Sequence, residues 1–345
     1  MSPAIRIAID AMGGDFGPQP ILEAAQYIAA KTPGVDFTVV GDQNTLENHL
    51  AALPDRRLDD ARIRILHAAG QVSMDDRPST ALRQKRDSSM WQALELVKSG
   101  EVAACVSAGN TGALMAMGKY LLKTYPGIDR PAICKPVPSS KGHCYLLDLG
   151  ANIDCTAEQL VQFAFMGSVL ASVSDGNPSP TVGLLNIGEE NAKGVGQVRQ
   201  AADMLAASTR INYAGFVEGD DIYTGDVDVV VCDGFVGNIA LKVSEGAAKF
   251  LAANVRQVFS NNWYARLAGW LAAPVVNQWR AKFDPVRHNG ACFLGLQGTV
   301  IKSHGGADTR GFCYALEMAV DHVNNRIPEK ISARFAELDG LGSGK

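Results

Sequence analysis

The chain has 345 residues, of which 47% are apolar, 20% charged and 7% aromatic, enough to bury one large core or two fused lobes. Its net charge of −4 gives no global reason to bind nucleic acid, and its 35 Gly lie outside any repeat, which excludes collagen-like and linker sequence. Seven Cys, at 105, 134, 144, 155, 232, 292 and 313, include no CxxC pair, so neither a zinc ribbon nor a disulfide framework is expected, only reduced thiols in a cytoplasmic protein.

The first residues reach Asp10 without a long apolar stretch, and no run of 18 uncharged apolar residues follows. Neither a signal peptide nor a membrane-spanning helix is therefore expected. In chain order the pattern predicts a strand at Ile5–Met12, a helix at Pro20–Lys31, and strands at Phe37–Gly41 and Ile63–Ala68. A helix at Asp87–Ser99, a strand at Ala103–Ala108 and a helix at Thr111–Lys123 follow. Then come a strand at Tyr145–Leu149, a helix at Ala157–Val173, a strand at Val182–Ile187 and a helix at Val195–Ala207. The last strands are predicted at Phe216–Glu218, Val227–Cys232 and Phe293–Ile301. Near-continuous apolarity, as in Val229-Val230-Val231, marks strands covered on both faces. The fold class is α/β, with a mostly parallel sheet flanked by helices.

Ligands in such sheets bind at the carboxyl ends of strands. Here those ends carry Asp10-Ala11-Met12-Gly13-Gly14-Asp15, Gly109-Asn110-Thr111, Asp148-Leu149-Gly150-Ala151-Asn152, Gly188-Glu189-Glu190, Asp233–Asn238 and Lys302-Ser303-His304-Gly305. Gly, Asn and Asp at strand-to-helix junctions expose backbone N–H groups and helix N-termini, which suit phosphate or another anion. GxGxxG, a P-loop of correct spacing, HExxH and GxSxG are all missing. No redox or metal cofactor is expected.

Residues 249–288 stand apart, with six Lys or Arg against one acid, Asp284, and three of the four Trp. The pattern predicts two helices broken near Pro274, apolar at the tip and basic on the flanks. A hairpin buried in a dimer interface and a lipid-contacting helix both fit, because an amphipathic stripe does not name its partner.

Taken together, the loops resemble the bacterial acyl-carrier-protein:phosphate acyltransferases of phospholipid synthesis (the PlsX-type family). The resemblance rests on Ile7–Asp15, Val106–Ala113, Asp148–Asn152, Leu185–Glu190, Phe216–Gly219 and Asp233–Asn238, six stretches in register within a resemblance that runs from residue 5 to about 325. It implies a fold related to isocitrate and isopropylmalate dehydrogenases and to phosphotransacetylase. It also implies a homodimer, inorganic phosphate and acyl-carrier protein as substrates, and peripheral membrane association beside a membrane glycerol-3-phosphate acyltransferase. The expected division is one catalytic unit over 1–328, which includes a protruding helical hairpin at 245–288, then a charged helix and frayed tail over 329–345.

The implied reaction is attack of a phosphate oxygen on a thioester carbonyl, which needs no acyl-enzyme. The resemblance carries over Lys193 and Asn238 as the leading catalytic pair. Lys193 is expected to open the helix after its loop, and Asn238 to act as a helix cap or an amide donor. His304 is held as a secondary candidate for proton transfer to the thiolate. Asp10, Gly13, Gly14, Asn110, Thr111, Asn152, Gly188 and Gly237 are the candidate phosphate- or substrate-binding positions. Asp10 and Asp15 either orient cations or cap the turn, and Arg83, Arg86 and Arg130 are either phosphate clamps or surface charges. Trp263, Leu267, Trp270 and Leu271 are the candidate membrane anchors, with Arg256, Arg266 and Arg280 for headgroups. Two rival functions fit the same sequence: a phosphotransacetylase using acyl-CoA, and a membrane-surface scaffold without catalysis.

Overall fold

A computed structural model describes residues 4–53, 62–190, 192–282 and 285–339. The side chain of Arg280, Asp284 and the tail after residue 339 lie outside the described part. Among the described residues eleven strands form one sheet: β1 (Ile5–Asp10), β2 (Val35–Gly41), β3 (Ile63–His67), β4 (Ala104–Ser107), β5 (Ala132–Ser139) and β6 (Gly142–Leu147), then β7 (Thr181–Leu185), β8 (Asn212–Val217), β9 (Val229–Val231), β10 (Ala291–Leu294) and β11 (Thr299–Lys302). The helices are α1 (Gln19–Lys31), α2 (Gln43–Ala52), α3 (Pro78–Gln84), α4 (Ser89–Ser99), α5 (Thr111–Leu122) and α6 (Ala157–Asp175). They continue with α7 (Gly196–Ala206), α8 (Gly234–Ser260), α9 (Trp263–Lys282), α10 (Thr309–Asn324) and α11 (Ile327–Asp339).

The strand order is β3-β2-β1-β4-β11-β10-β5-β6-β9-β7-β8. From β3 to β11 neighbours are parallel, and from β6 to β8 they are parallel again. The pairs β11–β10, β10–β5 and β5–β6 are antiparallel, so two parallel blocks of opposite direction meet at a short antiparallel junction. Side chains alternate between two cores across the sheet. Ile7, Ile9, Val229 and Val231 face the core under α1, α6, α7, α10 and α11, whereas Ala8 and Val230 face the core under α3, α4 and α5. Phe163 of α6 and Phe312 of α10 are fully enclosed in the first, each stabilising the fold by about 1.5–3 kcal/mol relative to exposure.

Three expectations need correction. Phe293–Ile301 is two antiparallel strands, β10 and β11, because Gly295 takes a φ of +92° and turns the chain. Strand β5 was hidden by Pro136 and Pro138. It pairs with β10 only over Ala132–Cys134 and from there has β6 alone beside it, so the missing proline N–H groups cost no ladder bond on the open side. The hairpin breaks at Asn261-Asn262, not near Pro274, which lies inside α9. Asn262 starts the second helix, its side-chain oxygen accepting from the Ala265 N–H at 2.8 Å.

Candidate active site

The loops after β1, β4 and β11 are knitted together by backbone bonds. Asp15 N–H donates to the Gly305 carbonyl at 2.8 Å and Ser303 N–H to the Ser107 carbonyl at 2.9 Å. Gly13 sits against Gly109 so closely that a Cβ on it would fall 2.5 Å from the Gly109 nitrogen. Its work is to let two loops touch. Asp10, 1% exposed, accepts from the hydroxyls of Ser89 and Ser107 at 2.6 Å each and from Met12 N–H at 3.3 Å. Burial raises its pKa, while those bonds and the charge of Lys302 oppose the rise.

Asn110 caps α5, and its amide nitrogen donates to the carbonyls of Ser73, Met74 and Asp76. That amide is spent on holding the 73–76 loop rather than open to a ligand. Thr111, the next residue, is exposed at the first turn of α5.

Strand β11 ends in Lys302, 9% exposed, whose ammonium donates to the Ala108 carbonyl at 3.1 Å and to the Ser303 carbonyl. Burial lowers its pKa to about 8, against the through-space pull of Asp10 and Asp15. His304 follows, its backbone N–H fixed by the Asn289 side-chain oxygen at 3.0 Å. The ring Nδ1 accepts from Gly306 N–H at 3.0 Å, which leaves the proton of the neutral ring on Nε2. Partial burial lowers the His304 pKa, and Lys242, Lys302 and Lys135 add to that against Glu245.

Helix α8 starts at the Asp233 cap, which accepts from Val236 N–H at 2.9 Å. A Cβ on Gly237 would overlap the Asp148 carbonyl oxygen, and one on Gly234 would press on Asn152 and Gly150. The two glycines thus let the helix lie directly on the 148–152 loop. Asp148 and Asn152 hold that loop. The buried carboxylate of Asp148 accepts from the N–H groups of Ile133, Ala151 and Asn152 and from the Asn152 amide. Asn152 also donates to the Pro131 carbonyl. Asn238 is therefore not the cap. It stands exposed on the second turn, with its side chain beside Gly150. One turn or two further on, Glu245 bonds Lys135 of β5 at 3.3 Å and Lys242 at 3.5 Å.

These elements enclose a cavity of about 410 Å³ lined by Asn238, His304, Lys302, Lys135, Glu245 and Thr111 among others. It also receives Asp15, Lys242, Gly150 and Asn289, while Asp10, Gly13 and Gly14 lie in the loops behind it. A larger hollow of about 790 Å³ runs along α7 and β8 but draws on no other strand-end loop. Among the described residues no three His, Cys, Asp or Glu side chains form a metal-holding group. All seven thiols are free, and burial pushes the Cys144 and Cys155 thiols up to about 12, far from a reactive thiolate.

Lys193 is not among the residues lining this cavity. It lies three residues ahead of α7 instead of opening it, and its ammonium folds back over Gly188 to Glu190 at 2.8 Å. Because β7 and β9 are parallel neighbours, the loop bearing Lys193 and the start of α8 leave the same edge of the sheet. The Lys193–Glu190 pair is largely exposed, and such pairs are easily released. Sequence reasoning missed Lys302, Lys135, Glu245 and Asn289. Lys302 stood in plain view beside His304, but nothing in the local sequence signals its burial.

A family model described as "Fatty acid synthesis protein" matches residues 5–330. The chain is 52% identical over 332 residues to a phosphate acyltransferase of Pseudomonas putida, covering 96% of this chain and 98% of that one. With a phosphate acyltransferase of Nitrosococcus oceani it shares 53% over 332 residues, covering 96% and 97%. In fold it is similar to a phosphotransacetylase of Streptococcus pyogenes, with a TM-score of 0.63 and 16% identity over 93% of this chain and 94% of that one. It is also similar to a 4-hydroxythreonine-4-phosphate dehydrogenase of Klebsiella pneumoniae, with a TM-score of 0.53 and 17% identity over 94% and 98%. Both likenesses agree with the dehydrogenase-like α/β fold expected from the sequence.

Proposed function

The chain belongs to the phosphate acyltransferase family, and from that premise we propose that it makes acyl-phosphate from acyl-[acyl-carrier-protein] and inorganic phosphate for phospholipid synthesis. The observation that carries this reading is the convergence of Asn238, His304 and three lysines on one cavity at the antiparallel junction.

Direct attack of phosphate on the thioester has three physical needs. The phosphate must be held beside the carbonyl, since orientation alone is worth several kcal/mol. The oxyanion that develops on the carbonyl needs fixed donors. The thiolate needs little help to leave, because thiols are moderately acidic. The Asn238 amide and the His304 Nε2–H are the donors suited to the oxyanion. His304 in its neutral form keeps that proton, since giving it up would leave an imidazolate, and the thiolate departs without an acid from this residue. Lys193, once it leaves Glu190, brings positive charge from the neighbouring loop. Seven free thiols, six of them buried, fit a route without an acyl-cysteine.

The hairpin supports the rest of the reading. On α9, Trp263, Leu267, Trp270, Leu271 and Val275 recur at helical spacing and are all exposed, Trp270 at 73%. Arg256 and Arg266 stand near them in sequence. This is the surface a peripheral membrane contact needs, and it would shorten the path of a poorly soluble acyl product to a membrane glycerol-3-phosphate acyltransferase. Ile239, Val243 and Phe250 of α8 are exposed too, which fits a second copy packed along that helix in a homodimer. No helix among the described residues is long and apolar enough to cross a membrane.

Acyl-carrier protein and acyl-CoA of equal chain length, offered separately with phosphate after dialysis against a chelator, test the proposal. A strong preference for the carrier protein and full activity without added metal are expected. Preference for acyl-CoA would make the chain a phosphotransacetylase, and no product with either would leave a scaffold role.

A further inference from the structure

Three lysines line the cavity, and they are not equivalent. Lys135 and Lys242 share the carboxylate of Glu245, at 3.3 and 3.5 Å. Among the described residues, the acceptors of the Lys302 ammonium are two neutral carbonyls, of Ala108 and Ser303, and Asp10 and Asp15 act on it only through space. An ammonium carries three N–H donors, so one remains for the cavity that Lys302 lines. Burying a cation without a contacting counter-charge is unfavourable. Its retention here is understandable if an anion completes the site.

Resting on the acyl-phosphate reading above, we propose that Lys302 binds the inorganic phosphate that attacks the thioester. The neighbouring parts suit that ligand. The first turn of α5, at Thr111 and Gly112, opens on the same cavity and adds helix N–H groups and positive dipole. Asn289 braces the loop through its bonds to Ser303, His304 and Gly311, so the lysine and His304 keep a fixed relation to one another. A phosphate group could also enter as part of the pantetheine arm of the acyl donor, and the kinetics separate the two sources.

The full-length chain is titrated with inorganic phosphate and, separately, with acyl donor. Lys302→Met is expected to raise the KM for phosphate about tenfold or more and to change the KM for acyl donor less than about threefold. Phosphate should raise the Tm of the parent and have little effect on that variant. An unchanged phosphate KM and an unchanged Tm response would overturn the proposal. A rise confined to the acyl-donor KM would assign Lys302 to the pantetheine arm, and so overturn it as well.

Lys302→Arg keeps the charge and guards against a variant that does not fold. Phosphate affinity of the parent should fall as pH rises through about 8, where Lys302 loses its proton. In the Arg variant, which stays protonated, that fall should be lost, leaving only the change that the ionisation of phosphate itself brings to both proteins. The other groups facing Lys302 are Asp10 and Asp15 below it, Lys135 from β5, Lys242 and Glu245 from α8, and His304. An equal fall in the Arg variant would move the titration to one of those and defeat the assignment. If acyl-phosphate forms but its phosphate KM ignores position 302, this site is wrong and the function stands. If phosphate binds in a Lys302-dependent way but no acyl donor reacts, the function is wrong and the site stands.

Discussion

The carboxylate of Glu245 lies 3.3 Å from the ammonium of Lys135, and this ion pair joins helix α8 to the central strand β5 inside the cavity. The same helix bears Asn238 seven residues earlier and leads on to the exposed stripe of α9. The proposed oxyanion donor and the cavity wall thus lie on one helix, α8, which runs on to the hairpin turn at Asn261-Asn262. Burial weakens Lys135 as a base, while Lys135, Lys242 and His304 outweigh burial to hold Glu245 below its ordinary pKa.

Removing the acid should therefore matter. Glu245→Gln leaves two lysines facing the cavity without their shared counter-charge, and a loss of about 1–3 kcal/mol in stability is expected. Urea midpoints at neutral pH measure it. An unchanged midpoint would show that α8 does not depend on this anchor.

Lys193→Ala and Asn238→Ala should each lower turnover by about two orders of magnitude or more, the usual loss for one anion or oxyanion donor, with the fold intact by circular dichroism. Near-parental turnover in either variant would remove that residue from the mechanism. Asn238 already stands in the cavity, so its loss should appear in kcat. The effect at Lys193 requires its loop to leave Glu190.

Acid should weaken the fold through His322. This histidine is buried in α10, and burial lowers its pKa to about 4, whereas in the unfolded chain it takes a proton near 6.5. Between those values the unfolded state holds the extra proton, so stability rises with pH across the window and is lost as pH falls from about 6.5 to about 4. The full effect is on the order of 3 kcal/mol. His322→Leu should show a smaller fall in urea midpoint between neutral pH and about pH 4.5 than the parent. Equal falls would place the acid sensitivity in the carboxylates instead.

Much of this could be read from the sequence, and what could not had local causes. Val229-Val230-Val231 announced a doubly covered strand because burial on both faces leaves an apolar run. Strand β5 did not, because Pro136 and Pro138 are tolerated only where its neighbour β10 has ended, a fact of topology. The loops were legible as a group, since Gly13 and Gly237 mark backbone contacts that no Cβ permits. Their individual roles were not. Asn110 and Asn152 look like free amides in sequence, yet in the fold both amides donate to backbone carbonyls. Lys302 was passed over because burial of a lysine is set by residues distant in the chain.

Trp270→Glu with Leu271→Glu should abolish binding to anionic vesicles and leave acyl-phosphate formation from soluble substrates largely intact. Each basic residue near such a surface adds about 1 kcal/mol of attraction, which weakens with salt. Parental binding by the double variant would end the membrane reading. Dissociation into monomers would make the stripe a subunit interface.

Acyl transfer directly to phosphate is tested most squarely by counting thiols. Acyl-[acyl-carrier-protein] is mixed with the chain at comparable concentration, first without phosphate and then with it, and free carrier thiol and acyl-phosphate are measured together. No thiol should appear before phosphate is added, and afterwards thiol and acyl-phosphate should appear in equal amounts. A stoichiometric release of thiol without phosphate would reveal an acyl-enzyme, and thiol release with phosphate but no acyl-phosphate would contradict the proposed reaction.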